Sequence, residues 1–232
     1  MSFLQDFINH LDMDQLLSLL LRVVAALICI IIHECAHGFA ADRLGDHTAR
    51  ANGRLSWNPM RHIDPFGLVM MITAGVGWAK PVPVDASNFK NPRKGMAVTA
   101  IAGPVSNFLL AFVALGLSSL LYRALVYAYL TDILWNVLYY LFLLLVRVAM
   151  LSVGLGLFNL IPIPPLDGSK VLFSFLSDRI YFKILEYERY VMWALFLLVF
   201  MGVLDVPLNF CITHVLAFLC HLTGFPAAVL GL

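Results

Sequence analysis

Four residues in this chain have the types and spacing for metal-assisted hydrolysis: His33, Glu34, His37 and Asp167. In His33-Glu34-Cys35-Ala36-His37 the histidines stand at i and i+4. On a helix that spacing puts both imidazoles on one face, about one turn apart. Two nitrogens so placed can bind one zinc ion. Glu34, beside them, can take a proton from a water that the metal activates. The cluster lies late in an apolar run, where three ionisable groups in one turn need a shared partner. A catalytic zinc takes three protein ligands and keeps one position open. Asp167 is the candidate for the third. Taken alone, Leu166-Asp167-Gly168 reads equally well as a helix start or a turn; its weight comes from lying on the same side of the membrane as the histidines. Pro162, Pro164 and Pro165 block a regular helix before it and predict an extended approach, with Gly168 allowing a tight turn.

The elements that must position these groups are read from the apolar runs. A first span covers 15–41, a second 94–122, a third 133–158, a fourth 190–204 and a weaker fifth 206–222. Residues 2–14 alternate apolar and polar positions as an interfacial helix would. The run 65–84 is short and cut by Gly67, Gly75 and Gly77. It predicts a re-entrant or edge-strand segment, tolerable only where protein or water satisfies its backbone. The expected fold is an all-α polytopic membrane protein of about five helices, with residues 1–232 as one domain and this short segment near the active site.

Composition agrees. Of 232 residues 61% are hydrophobic and 12% charged, about half the charge of a soluble domain. A net charge of +1 without a dense basic run argues against nucleic acid as a partner. The lipid bilayer is the partner this composition demands. Twelve of the 15 Lys and Arg fall in two connections, eight between spans one and two and four between spans three and four. By the positive-inside rule those connections face the cytoplasm. The ends of spans one and three, which carry the polar residues, then meet on that side. Acidic Asp6, Asp12 and Asp14 do not read as a signal peptide. Cys29, Cys35, Cys211 and Cys220 form no CxxC pair and read as free thiols, mostly buried.

His33-Glu34-Cys35-Ala36-His37, followed by Asn159-Leu160-Ile161-Pro162-Ile163-Pro164-Pro165-Leu166-Asp167-Gly168, resembles the site-2 protease family of intramembrane zinc metalloproteases. The resemblance runs from about residue 17 to 178. It implies zinc held by His33, His37 and Asp167, Glu34 as catalytic base, a site facing the cytoplasm, and transmembrane proteins as substrates. It places the chain in a cell membrane, of prokaryotic type, as a compact form without PDZ or regulatory domains. Gly103-Pro104-Val105-Ser106-Asn107 is similar to a further motif of that family. By itself Asn107 reads as an interhelical polar contact; the resemblance implies a part in holding substrate or the oxyanion. The stretch Gly77 to Val84 is similar to a family segment that would pair with unwound substrate.

Other polar residues receive plainer readings. His47 and His62 are expected on surface loops, and His214 with His221 lacks an acidic partner for a second metal site. Arg147, in mid-span, could snorkel, pair with Asp132 or line a water path. Two functions compete: a zinc endopeptidase, and a membrane metal or ion transporter using the same His and Asp. Glu34 separates them, because hydrolysis needs a base and a transport site needs more ligands. The sequence names neither substrate nor oligomeric state.

Overall fold

A computed structural model describes residues 13–74, 79–176 and 187–232. The expected interfacial helix at 2–14 lies almost wholly outside these residues. The helices are α1 (Met13–Arg43), α2 (Thr48–Ala51), α3 (Pro65–Ala74), α4 (Pro92–Tyr127), α5 (Asp132–Asn159), α6 (Asp167–Phe173), α7 (Glu188–Phe200) and α8 (Asp205–Thr223). Among the described residues four helices, α1, α4, α5 and α8, are long and apolar enough to cross a membrane. They correspond to the expected first, second, third and fifth spans. At the expected fourth, α7 has 13 described residues, a rise of roughly 20 Å against a hydrocarbon core of about 30 Å.

Local chemistry explains where the helices begin and end. Asn91 accepts from the Lys94 N–H and Pro92 takes the first helical position, where no backbone donor is needed. Thr131 caps α5 through the Leu134 N–H. At its far end Pro162 cannot continue the helix, and the chain turns at 160–166 instead of running extended to Asp167. Gly224 closes α8 in the left-handed conformation at φ 64°.

Alanines and other small residues let α1, α4 and α5 approach one another. Ala25 and Cys29 of α1 meet Ala111, Ala114 and Leu115 of α4 and Val148, Ala149 and Val153 of α5, with Leu216 and Leu219 of α8 closing the cluster. Cys29 lies 3.1 Å from the Ser152 hydroxyl. Arg147 donates to the Ser18 hydroxyl of α1 at 2.9 Å. Outward positions such as Leu109, Leu120 and Val137 are more than half exposed, which suits lipid and not water.

The run 65–84 departs from expectation in its first half. Pro65–Ala74 is helical. Asp64 accepts from the Gly67 N–H at 2.8 Å, so Asp64-Pro65 forms an N-cap followed by a first-position proline. Residues 75–78 lie outside the described residues. Residues 79–85 are not helical: Ala79 makes one isolated antiparallel bridge with Ile63, the Lys80 N–H donates to the His62 carbonyl, and Asp85 is extended. His62 is likewise corrected: it is 1% exposed, folded beneath α1 with its Nε2 2.8 Å from the Ser56 carbonyl. The loop that carries it doubles back under Cys35 and Arg54, burying what a linear reading leaves on the surface. His47 is exposed, and lies against Asp42.

Candidate metal centre

The last turns of α1 carry His33, Glu34 and His37 to the end of the bundle where α4 begins and α5 ends. Their i, i+4 spacing sets the two imidazoles edge to face, with centroids 4.6 Å apart. Their Nε2 atoms lie 3.1 Å from each other. Asp167 Oδ2 is 3.1 Å from each of them. All three residues are less than a tenth exposed. Three electron-rich atoms thus form a nearly equilateral triangle in a buried place. The protons that two neutral imidazoles carry cannot satisfy all three edges. A cation can, and zinc ligands at about 2.0–2.2 Å from one ion would stand at about this separation. The donor set fits zinc.

Each of these side chains is fixed from behind. His37 Nδ1 donates to the Thr99 carbonyl at 2.7 Å, which leaves its Nε2 with the lone pair. Lys170 Nζ donates to Asp167 Oδ1 at 3.1 Å, so Oδ2 is the oxygen turned to the histidines. Asp167 opens α6, and Gly168 packs against the Leu160 carbonyl at the end of α5 so closely that a Cβ there would collide with it. The role of Gly168 is this close approach; its φ is not left-handed. Asn107, fully buried, sets its side-chain nitrogen 3.0 Å from His33 Nδ1.

Glu34 is half-buried beside the triangle, and its Oε2 accepts from the Val82 N–H at 2.8 Å. A cavity of about 600 Å³ opens here. Its polar end is His33, Glu34, His37, Asp167 and Lys170, and Ile30, Leu155 and Phe158 line its apolar wall. Asn159 lies on that wall and Asn107 does not. The structure therefore brings His33, Glu34, His37 and Asp167 together around one space and puts Asn107 behind it.

The sequence reading missed Lys170, Thr99 and Val82. Lys170 stands three residues after Asp167 in a short helix, a spacing that could have revealed it. Thr99 and Val82 act through backbone groups, which no residue type announces. His214 donates to the Phe210 carbonyl of its own helix. Among the described residues the triangle is the one set of three metal-ligating side chains close enough to share an ion.

Known proteins are similar to this chain in sequence. The chain is 37% identical over 176 residues to "Putative zinc metalloprotease YwhC" of Bacillus subtilis (strain 168), a match covering 72% of this chain and 74% of that one. It is 30% identical over 154 residues to "Putative zinc metalloprotease Rip2" of Mycolicibacterium smegmatis, covering 64% of this chain and 54% of the relative. The Mycobacterium tuberculosis H37Rv protein of the same name matches at 30% over 150 residues, covering 63% of this chain and 53% of the relative. The chain thus spans about half the length of the mycobacterial relatives. No solved structure gives a significant match. The profile of peptidase family M50 matches residues 22–203 and so takes in both the His33–His37 turn and Asp167; this chain, with its four apolar helices and its buried His, His, Asp triangle, belongs to peptidase family M50.

Proposed function

We propose that the chain is a zinc-dependent endopeptidase that cuts membrane-spanning protein segments within or beside the bilayer, at a site facing the cytoplasm. The observation that carries the proposal is the triangle of His33, His37 and Asp167 with Glu34 beside it on one cavity. Zinc, when bound, supplies Lewis acidity towards a water and a scissile carbonyl. Glu34 takes the proton from the attacking water and later passes it to the leaving amine. The Val82 N–H holds one carboxylate oxygen, so the other is the one that exchanges protons. The apolar wall of Ile30, Leu155 and Phe158 receives the hydrophobic side chains of the substrate and keeps bulk water from the scissile bond.

A helical substrate hides its carbonyls in hydrogen bonds and must unwind to be cut. The non-helical segment 79–85 is the element against which an unwound strand can lie. Pro81 and Pro83 have no N–H, Lys80 gives its own to His62, and Val82 gives its own to Glu34. The Lys80 carbonyl accepts from Arg54 Nη2 at 2.6 Å, so the groups left to this stretch for pairing are the carbonyls of 81–83, and the substrate must supply the N–H groups.

The test separates metal from chemistry. Detergent-purified protein should hold about one zinc per chain, and His33→Ala or Asp167→Ala should lose most of it. Glu34→Gln should keep the zinc and cut a helical membrane substrate roughly 100- to 10,000-fold more slowly. Full zinc in both ligand variants defeats the assignment. Undiminished cleavage by Glu34→Gln defeats the mechanism, and metal flux without cleavage in the parent points to a transporter.

A further inference from the structure

Thr99, Gly103 and Asn107 stand at i, i+4 and i+8 of α4, one stripe along the face that meets α1. The two ends of the stripe meet the two histidines: the Thr99 carbonyl receives His37 Nδ1–H, and Asn107 meets His33 Nδ1. Between them Gly103 leaves room. A Cβ at that position would lie 2.5 Å from the His37 ring and 2.7 Å from the His33 ring. One face of one helix thus holds the rear nitrogen of both imidazoles and lets both rings lie against its backbone.

The two ends differ in one respect. A ligand histidine that offers Nε2 must carry its proton on Nδ1, and Nδ1 then needs an acceptor. His37 has one in Thr99. Asn107 instead turns its nitrogen to His33 Nδ1, which puts the ring proton on Nε2, inside the triangle. Its Oδ1 is meanwhile buried without a partner. Both faults vanish if the amide is turned over, an exchange of nearly isosteric ends that needs no extra space. Oδ1 then accepts Nδ1–H, and Nε2 is free to meet a cation beside His37 Nε2 and Asp167 Oδ2.

We infer that Asn107 is a positioning residue for the metal centre: its side-chain carbonyl accepts the Nδ1 proton of His33 and so fixes the tautomer and ring plane with which His33 binds zinc. The residue acts through His33 and does not touch substrate. Gly103 and Asn107 form one device, the glycine admitting the rings and the amide orienting one of them. The inference rests on the ligand assignment proposed above.

The experiment is a zinc-competition titration against a chromophoric chelator, on the detergent-purified full chain. The parent is compared with Asn107→Ala, Asn107→Asp and His33→Ala. Thermal unfolding of each protein, stripped of zinc, tests whether it is folded. Asn107→Ala should bind zinc about 10- to 100-fold more weakly. Asn107→Asp, which keeps an acceptor and loses the donor, should stay within a few-fold of the parent. If folded Asn107→Ala binds zinc as tightly as the parent, or if Asn107→Asp is as weak as Asn107→Ala, the inference is overturned. Should Asn107→Ala not fold, Asn107→Asp decides against the parent alone: affinity within a few-fold supports the inference, and a loss of about 10-fold or more overturns it. His33→Ala tests the foundation separately: if it keeps full zinc, the ligand assignment has failed whatever Asn107 does.

Discussion

The same two helices, α1 and α4, meet in two ways along their length. Towards the middle of the bundle Ala25 faces Ala111, Ala114 and Leu115, and the contact is dispersion between small apolar groups. Near the end of α1, His33 and His37 face Thr99, Gly103 and Asn107, and the contact is hydrogen bonding with fixed directions. Close approach serves both halves, but they tolerate error differently. A dispersion contact loses a little energy when a group shifts by half an ångström. A ligand set displaced by that much no longer closes around an ion.

Two glycines of α4 offer the sharpest way to break this comparison. Gly103→Ala should weaken zinc binding by 100-fold or more, because the added methyl group meets both histidine rings. Gly116→Ala, where the nearest heavy atom is a Thr223 methyl at 4.0 Å, should leave zinc binding unchanged. It should raise helix stability by no more than about 1 kcal/mol. Equal zinc affinity in the two variants, measured by chelator competition, would erase the distinction between the halves.

The next effect lies on Glu34, the proposed base. Val82→Pro removes the donor that holds Glu34 and should slow cleavage about 10- to 100-fold with zinc content unchanged. Val82→Ala keeps the N–H and should stay closer to the parent in kcat. Similar kcat values for the two would show that this backbone donor does not orient the base.

The smallest effect concerns the loop that carries residues 79–85. Buried Asp46 accepts from the Thr48 N–H and hydroxyl, the Asp85 N–H and the Asn88 amide. Burial alone would push its carboxyl up, but these bonds outweigh burial and hold it below the usual carboxylate range. Its contribution is therefore complete above the unfolded value of about 3.9 and is lost as pH falls through the lower folded value. Asp46→Ala should cost about 1–3 kcal/mol at neutral pH. The difference in melting temperature from the parent should shrink on acidification. A difference that does not change with pH would mean that Asp46 acts through packing alone.

How far the molecule could be read in advance follows from which groups do the work. The histidine pair and Glu34 were legible because helical spacing is a direct property of sequence. Asp167 became legible once its side of the membrane was set by the placement of lysines and arginines. Four spans follow from unbroken apolar length, which few other features mimic. At Pro65–Ala74 the edge-strand alternative failed because glycines were taken as breaks, although Asp64-Pro65 is a helix-start signal. His62 was misread because polarity in a loop does not tell which way the loop folds. The Thr99 carbonyl and the Val82 N–H had no signal at all, since every residue except proline carries such groups.

One consequence follows from where Asp167, the proposed third ligand, sits. Asp167 comes from a segment 134 positions away from His33 in the chain, on the far side of α4 and α5. Zinc held as proposed would therefore also act as a cross-link that ties α1 to the segment following the third span and shrinks the number of arrangements open to the loosened chain. By mass action, the folded population would then rise with free zinc. Depriving such a protein of metal would then do more than stop catalysis: it would lower the concentration of protein able to survive to be reactivated.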